Sequence, residues 1–218
     1  MKIEKAIKDV SGDIIEYYNQ CWLTRFEAGH NPLSLAMHMG YFDQPGMDND
    51  HAKLNANKFL TSYIAIPGTG NSTIADLGCG VGGTCLYLAE NFPDARITGV
   101  NISSKQIEFA TALKNEKNPE YKISYHIADY AETGLPAATF DFVVGIESIC
   151  HAPDKLKVYN EAYRLLKPGG CFAFMDYFEV KSPVTTLQQK LLTDFRKGWA
   201  VDSYITNADA ELQQIGFK

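Results

Sequence analysis

A doubly wound α/β fold, with a mostly parallel sheet behind a helical cap, is what this sequence predicts. Three observations lead there. Strand-like and helix-like segments alternate from residue 72 onward. A cluster of glycines follows the first of those strands at once and opens a helix. The chain has 218 residues, 45% of them hydrophobic and 21% charged, the profile of one soluble globular domain that buries roughly 70% of its unfolded surface.

The elements follow in order. Ile3 to Tyr18 carries apolar residues at helical spacing, with Ser11-Gly12-Asp13 as a break between two short helices. Turns are expected at Ala28 to Pro32 and at Gln44 to Asp50, ahead of a helix from about His51 to Leu60. Ser72 to Leu77 reads as a strand, Thr84 to Asn91 as a helix, Ala95 to Val100 as a second strand and Ser104 to Asn115 as a second helix. Tyr121 to Ala128 and Phe140 to Ile146 read as the third and fourth strands, and Lys155 to Leu166 as the next helix. Lys167-Pro168-Gly169-Gly170 is expected to stop that helix before a fifth strand over Cys171 to Tyr177. Strands alternating with helices imply a parallel sheet covered on both faces. A helix over Thr185 to Trp199 and another ending at Ile215 complete the pattern, followed by Gly216-Phe217-Lys218, which normally enters a further strand. The division expected is a helical cap over residues 1–60 and a catalytic unit over residues 61–218.

Charge narrows the function. Twenty Lys and Arg against twenty-six Asp and Glu give a net charge of −6, which disfavours a nucleic-acid partner held by its phosphates. Met1 to Asp9 mixes charges where a signal peptide needs an apolar stretch, and no window is apolar enough to span a membrane. The five cysteines, Cys21, Cys79, Cys85, Cys150 and Cys171, are odd in number and lack a C-x-x-C pair. Reduced thiols in the cytoplasm are therefore expected, with no metal site. His30, His51 and His126 are read as surface residues.

The glycine cluster carries the chemistry. Asp76-Leu77-Gly78-Cys79-Gly80-Val81-Gly82-Gly83 contains G-x-G-x-x-G between a strand and a helix, a context that favours a nucleotide-like ligand. Asp76 sits at the carboxyl end of the strand and so at the cleft. A buried anion repels a pyrophosphate but attracts an ammonium and a sulfonium, which favours S-adenosylmethionine over a nicotinamide dinucleotide.

The block from Asp76 to Gly83 resembles motif I of the class I S-adenosylmethionine-dependent methyltransferases. Val100 to Gln106 resembles the motif that holds the ribose hydroxyls, with Asn101 where most members carry an acid; an amide can still accept and donate, without charge. Ile127-Ala128-Asp129-Tyr130 resembles the motif whose carboxylate accepts from the adenine amino group, and Leu165 to Gly170 the turn before strand five. The resemblance implies a Rossmann-like sheet, here without the terminal strands of the usual methyltransferase sheet. It also implies S-adenosylmethionine as cofactor, S-adenosylhomocysteine as product, and cofactor contacts from Tyr18, His38, Asp76, Gly78, Gly80, Asn101, Gln106, Asp129, Tyr130 and Ile146.

Further segments narrow the branch. Glu147 to Asp154 resembles the E-x-x-C-H-A-P segment of sterol C-methyltransferases and, more loosely, a segment of natural-product O-methyltransferases. Tyr17-Tyr18-Asn19 and His38-Met39-Gly40-Tyr41-Phe42 resemble cofactor-capping segments of the sterol, tocopherol and cyclopropane-synthase branches. A small-molecule acceptor follows from that resemblance. A hydroxyl acceptor needs a base such as His151, which Asp176 is expected to orient. An alkene acceptor wants a carboxylate such as Glu147 and cation-attracting faces, for which Tyr41, Phe42, Tyr177, Phe178 and Trp199 are available. Expected is methyl transfer to carbon or oxygen of a small apolar metabolite such as a sterol or isoprenoid. The alternatives are N-methylation of a small amine, a non-catalytic S-adenosylmethionine-binding module, or a nicotinamide enzyme sharing the loop. An exposed edge of the sheet makes a homodimer the expected assembly.

Overall fold

A computed structural model describes residues 16, 18, 19, 33–66, 70–179 and 185–218. The expected helix over Ile3 to Tyr18 falls almost entirely outside them, as do Tyr17, Cys21 and His30. Five parallel strands, β1 (Thr73–Leu77), β2 (Arg96–Asn101), β3 (Ile123–Ile127), β4 (Phe140–Ile146) and β5 (Leu166–Met175), form one sheet in the order β3-β2-β1-β4-β5. Around it pack α1 (Asn49–Ser62), α2 (Gly83–Asn91), α3 (Ser104–Lys117), α4 (Lys155–Leu165), α5 (Thr186–Gly198) and α6 (Ala208–Ile215), with a 3-10 turn at Ile149–His151. Among the described residues β5 forms one edge of the sheet, and no helix is long and apolar enough to cross a membrane.

The alternation of side chains along the strands builds two cores. Ile74, Ile97 and Val144 point to the face covered by Leu60 of α1 and by Cys85, Leu86, Leu88 and Ala89 of α2. Ala75, Leu77, Val100 and Val143 meet Val158, Tyr159, Ala162 and Leu165 of α4 on the other. The helix starts are set by their caps. Asp48 accepts from the Asp50 and His51 amides, and Ser103 and Asp154 cap α3 and α4. Thr185 and Gln188 form a capping box at α5.

One boundary departs from expectation. Lys167-Pro168-Gly169-Gly170 does not precede β5; it is looped out within it, between the pairs Phe140–Leu166 and Phe142–Cys171. Lys167 Nζ lies 2.9 Å from both oxygens of Asp141, which also accepts from Thr73, and this holds the bulge against the start of β1. His51 is exposed, as expected. His126 is instead half-buried, its Nε2 2.8 Å from the Thr133 carbonyl.

Strand order reverses between β1 and β4, and beyond their carboxyl ends the chain must part in two directions. Gly78 makes that parting with φ 83°. A Cβ there would stand 2.4 Å from the Ser148 Cβ. Gly78→Ala therefore combines a left-handed alanine with a steric clash, and we expect it to lower stability by about 2–4 kcal/mol in urea denaturation.

Candidate active site

A cavity opens at this switch point, bounded by the ends of β1, β2 and β4, the glycine turn and the segment Leu35–His38. That segment is seated on α1. Asp50 accepts the amides of Leu33 and Ser34 at 2.9 Å, and Lys53 Nζ donates to the Ala36 carbonyl at 3.1 Å. The Ser34 carbonyl lies 2.4 Å from where a Cβ on Gly83 would be, so the third glycine of the fingerprint is needed for this close packing. Gly80 is left-handed like Gly78 (φ 55°), but unlike Gly78 and Gly83 it has nothing within 4 Å of where its Cβ would be. It faces open space rather than protein.

Of the residues expected at the cofactor, Tyr18, His38, Asp76, Gly78, Gly80, Asn101, Gln106, Tyr130 and Ile146 all line the cavity. Asp129 does not; its Oδ1 accepts the Ala131 amide at 2.8 Å and closes the turn after β3. Asn101 donates to the Gly80 carbonyl at 3.3 Å and to Gln106 Oε1 at 2.7 Å, while its own oxygen accepts the Ile102 amide at 3.0 Å. Asn19, on the front segment, accepts from the Ser103 hydroxyl at 2.7 Å and so meets the cap of α3.

Asp76 is buried to 2% exposure, and burial raises its carboxyl from 3.8 to about 7, against the opposing hydrogen bond from the Cys85 thiol at 3.3 Å. His38 is the converse case. Burial lowers its imidazole to about 4, Nδ1 donates to the Met39 carbonyl at 2.8 Å, and the buried Nε2 has no partner among the described residues.

The residues expected to carry catalysis divide. His151 and Glu147 line the cavity; Asp176 does not. The His151 Nδ1 lies 2.8 Å from the Ala200 carbonyl, an acceptor only, so it holds the ring hydrogen and leaves the Nε2 lone pair facing the Tyr18 hydroxyl at 2.6 Å. Burial lowers the imidazole pKa, which keeps the ring neutral. The expected Asp176–His151 contact is thus replaced by Ala200. Asp176 accepts the Cys150 amide at 3.1 Å and its own neighbour Tyr177's amide at 2.8 Å, fixing the 3-10 turn.

Glu147 is held by both oxygens. Oε1 accepts the Met39 amide at 2.8 Å and Oε2 the Tyr177 hydroxyl at 2.5 Å, while burial raises its pKa. Tyr177 and Trp199 line the cavity, but the other aromatics proposed as a cation-attracting wall do not: Tyr41, Phe42 and Phe178 are exposed to solvent. Sequence reasoning missed Ser148, whose hydroxyl donates to the Leu77 carbonyl at 2.6 Å, and the Ala200 carbonyl, a backbone group with no signal of its own. Tyr177 as a donor to Glu147 was visible only as an aromatic next to a conspicuous acid.

A parallel sheet with its cavity at the switch point, walled by a glycine turn and a buried acid, defines an α/β domain of the class I methyltransferase fold. Residues 75–174 belong to the family described as the methyltransferase domain. The chain is 34% identical over 149 residues to the 27-O-demethylrifamycin SV methyltransferase of Amycolatopsis mediterranei, covering 67% of this chain and 53% of that protein. It is 33% identical over 165 residues to the cycloartenol-C-24-methyltransferase of Arabidopsis thaliana, covering 73% and 48%. The chain thus spans about half the length of either curated relative. Its fold matches geranyl diphosphate C-methyltransferase from Streptomyces coelicolor A3(2), solved with Mg2+, geranyl diphosphate and S-adenosyl-L-homocysteine. The TM-score is 0.73, at 16% identity over 94% of this chain and 77% of that one.

The raised pKa of Asp76 makes stability depend on pH. The unfolded carboxyl ionises near 4 and the folded one near 7, so the folded state holds the extra proton between those values. Stability is full below pH 4 as far as this group is concerned and falls by on the order of a few kcal/mol as pH rises to 7. Asp76→Asn is expected to flatten that part of the curve in denaturation titrations of the ligand-free protein.

Proposed function

We infer that the chain binds S-adenosylmethionine in this cavity and transfers its methyl group to carbon or oxygen of a small apolar acceptor, releasing S-adenosylhomocysteine. The observation that carries the reading is Asp76: a buried acid at the switch point to which, among the described residues, only a thiol donates. The cofactor's ammonium supplies the countercharge that burial withholds. Two more features fit the same ligand. The open space at Gly80 lets a ligand approach backbone closely, and the partnerless Nε2 of His38 can accept a hydrogen bond from it. No Lys or Arg is among the described residues lining the cavity, as suits a cofactor without phosphate. The cofactor supplies an electrophilic methyl group attached to a sulfonium; orienting the acceptor and managing its proton fall to the chain.

Within the chain, residues 1–60 act as the cap and 61–218 as the catalytic unit, a division supported by Leu35–His38 walling the cavity from the front. Neutral His151 serves as the base. With Nδ1 committed to Ala200, its Nε2 is free to take a proton through the hydrogen bond now made to the Tyr18 hydroxyl. Glu147 acts on the acceptor side as an anion near developing positive charge, while its two hydrogen bonds keep the front segment closed over the ends of β4 and β5. The apolar acceptor is favoured by the relatives, which methylate a rifamycin and cycloartenol by name.

Calorimetric titration with S-adenosylhomocysteine tests the reading. Affinity is expected to rise about tenfold between pH 6 and pH 8 as Asp76 ionises, and to be weaker and flat in Asp76→Asn. With tritiated S-adenosylmethionine and a panel of sterol, isoprenoid and phenolic acceptors, His151→Ala is expected to lower turnover about 100-fold or more on a hydroxyl acceptor. Absence of S-adenosylhomocysteine binding at any pH would overturn the assignment.

A further inference from the structure

Behind the glycine turn two thiols share one void. A Cβ on Gly99, in β2, would stand 2.8 Å from the Cys79 Sγ and 3.0 Å from the Cys85 Sγ, with the Tyr125 ring 2.8 Å from the same point. The two cysteine side chains are hydrogen-bonded to each other, and the Cys85 thiol donates to Asp76 Oδ2 at 3.3 Å. The pair differ in access. Cys79 lines the cavity, whereas Cys85 is fully buried. Cys79 also sits between Gly78 and Gly80, both left-handed, with nothing within 4 Å of where a Gly80 Cβ would be. Its backbone can therefore adjust without a clash on that side. The four described cysteines are all free, and of these Cys150 and Cys171 do not line the cavity.

We propose that Cys79 and Cys85 form a redox-modifiable dithiol, closed to a disulfide by a hydroperoxide that enters through the cavity. Access and Asp76 set the roles. Peroxide meets Cys79 first. The sulfur takes one peroxide oxygen, the O–O bond breaks, and the departing hydroxide takes the thiol proton and leaves as water, giving a sulfenic acid. Cys85 then attacks the Cys79 sulfur. An S–S bond forms as the S–O bond breaks, and the Cys85 proton passes by way of Asp76 Oδ2 to the departing hydroxide, which leaves as a second water. Two thiols and one hydrogen peroxide thus become one disulfide and two waters. Burial keeps both thiols protonated. The carboxylate that can receive the proton is therefore what makes Cys85 a resolving thiol rather than an inert one. Closure acts on the site. Asp76 loses the donor that lowers its pKa, so less of it is ionised at pH 7. The sulfurs close to about 2 Å, which draws the glycine turn toward the start of α2.

The effect on the site rests on the proposed cofactor binding; the crosslink itself does not. Hydrogen peroxide added to the ligand-free full chain is expected to remove two hydrogens by mass spectrometry, and peptide mapping without reductant should join Cys79 to Cys85. Saturating S-adenosylhomocysteine is expected to slow the crosslink about tenfold or more by closing the route to Cys79. Calorimetry at pH 7 should find the oxidised chain about tenfold weaker for S-adenosylhomocysteine, with dithiothreitol restoring it. In Cys79→Ser the affinity, whatever its starting value, should not change on peroxide treatment. Wild type that forms no Cys79–Cys85 link under peroxide would overturn the proposal, and that measurement needs no variant to fold. A link formed equally fast in a chain saturated with S-adenosylhomocysteine would overturn entry through the cavity, and a link that leaves the affinity unchanged would overturn control of the site. If reduced wild type does not bind S-adenosylhomocysteine, the cofactor assignment alone fails, and the mass and peptide map still decide on the dithiol.

Discussion

Where β1 and β4 end side by side, two segments of chain must leave in different directions without leaving a backbone group unpaired. The hydroxyl of Ser148 resolves this by donating to the Leu77 carbonyl, the last of β1. The space it needs is the space a side chain on Gly78 would fill. On the other side, the Gly78 and Cys79 amides both donate to the Val100 carbonyl at 2.8 and 3.0 Å, which ties the glycine turn to β2. The Tyr130 hydroxyl then donates to the Ser148 carbonyl at 2.7 Å and brings in the segment after β3. Four strand ends are thereby set relative to one another by contacts centred on a serine and a glycine. The cavity is what remains between them, and its walls are as rigid as this junction.

Buried Asp76 and half-buried Glu147 are both pushed toward the neutral form by burial, yet they are equipped differently. Glu147 has an amide on one oxygen and a phenol on the other, both stronger donors than a thiol. Its arrangement joins the front segment, β4 and the residues after β5, and a proton on either oxygen would put two donors face to face. Among the described residues Asp76 has only the Cys85 thiol, so its charge is incompletely met by them. A fully satisfied acid organises structure, and an incompletely satisfied one has affinity to spare for a cation. The same contrast separates the histidines. His151 has partners on both nitrogens, whereas His38 keeps a buried lone pair without one among the described residues.

Much of this was legible before any coordinates. The strands were readable because parallel strands buried on both faces are short apolar runs, and the glycine turn because a Cβ at Gly78 or Gly83 would clash and Gly80 takes a left-handed φ that favours glycine. What could not be read was contact made by backbone. An acid directly after a strand, Asp176, is the natural partner to assign to a nearby histidine, yet the Ala200 carbonyl takes that place from nearly fifty residues away. The bulge in β5 was hidden for a related reason. Lys-Pro-Gly-Gly is a turn in any context, and only the ion pair of Lys167 with Asp141 lets the strand begin ahead of it. Exposure also misled: aromatics such as Phe42 and Phe178 carry no mark in sequence of which side of the chain they leave from.

Backbone strain follows the same map. Among the described residues, four that are not glycine have positive φ: Leu35, Ala138, Glu147 and Ala200. Each such conformation costs on the order of 1 kcal/mol or more and persists only where its surroundings impose it. Leu35 and Glu147 line the cavity, and glycine at Glu147 would relieve the strain but forfeit the carboxylate that holds Met39 and Tyr177. Ala200 is strained for its carbonyl, not its side chain. At φ 53° it stands just past the end of α5 and accepts from the His151 Nδ1. That contact ties the end of the helix to the base proposed at His151. The ring keeps its lone pair on Nε2 because a carbonyl attached to α5 holds the hydrogen on Nδ1, so displacing the helix withdraws the group that fixes the tautomer. The tautomer of His151 on which the proposed role depends is therefore set by where one helix ends.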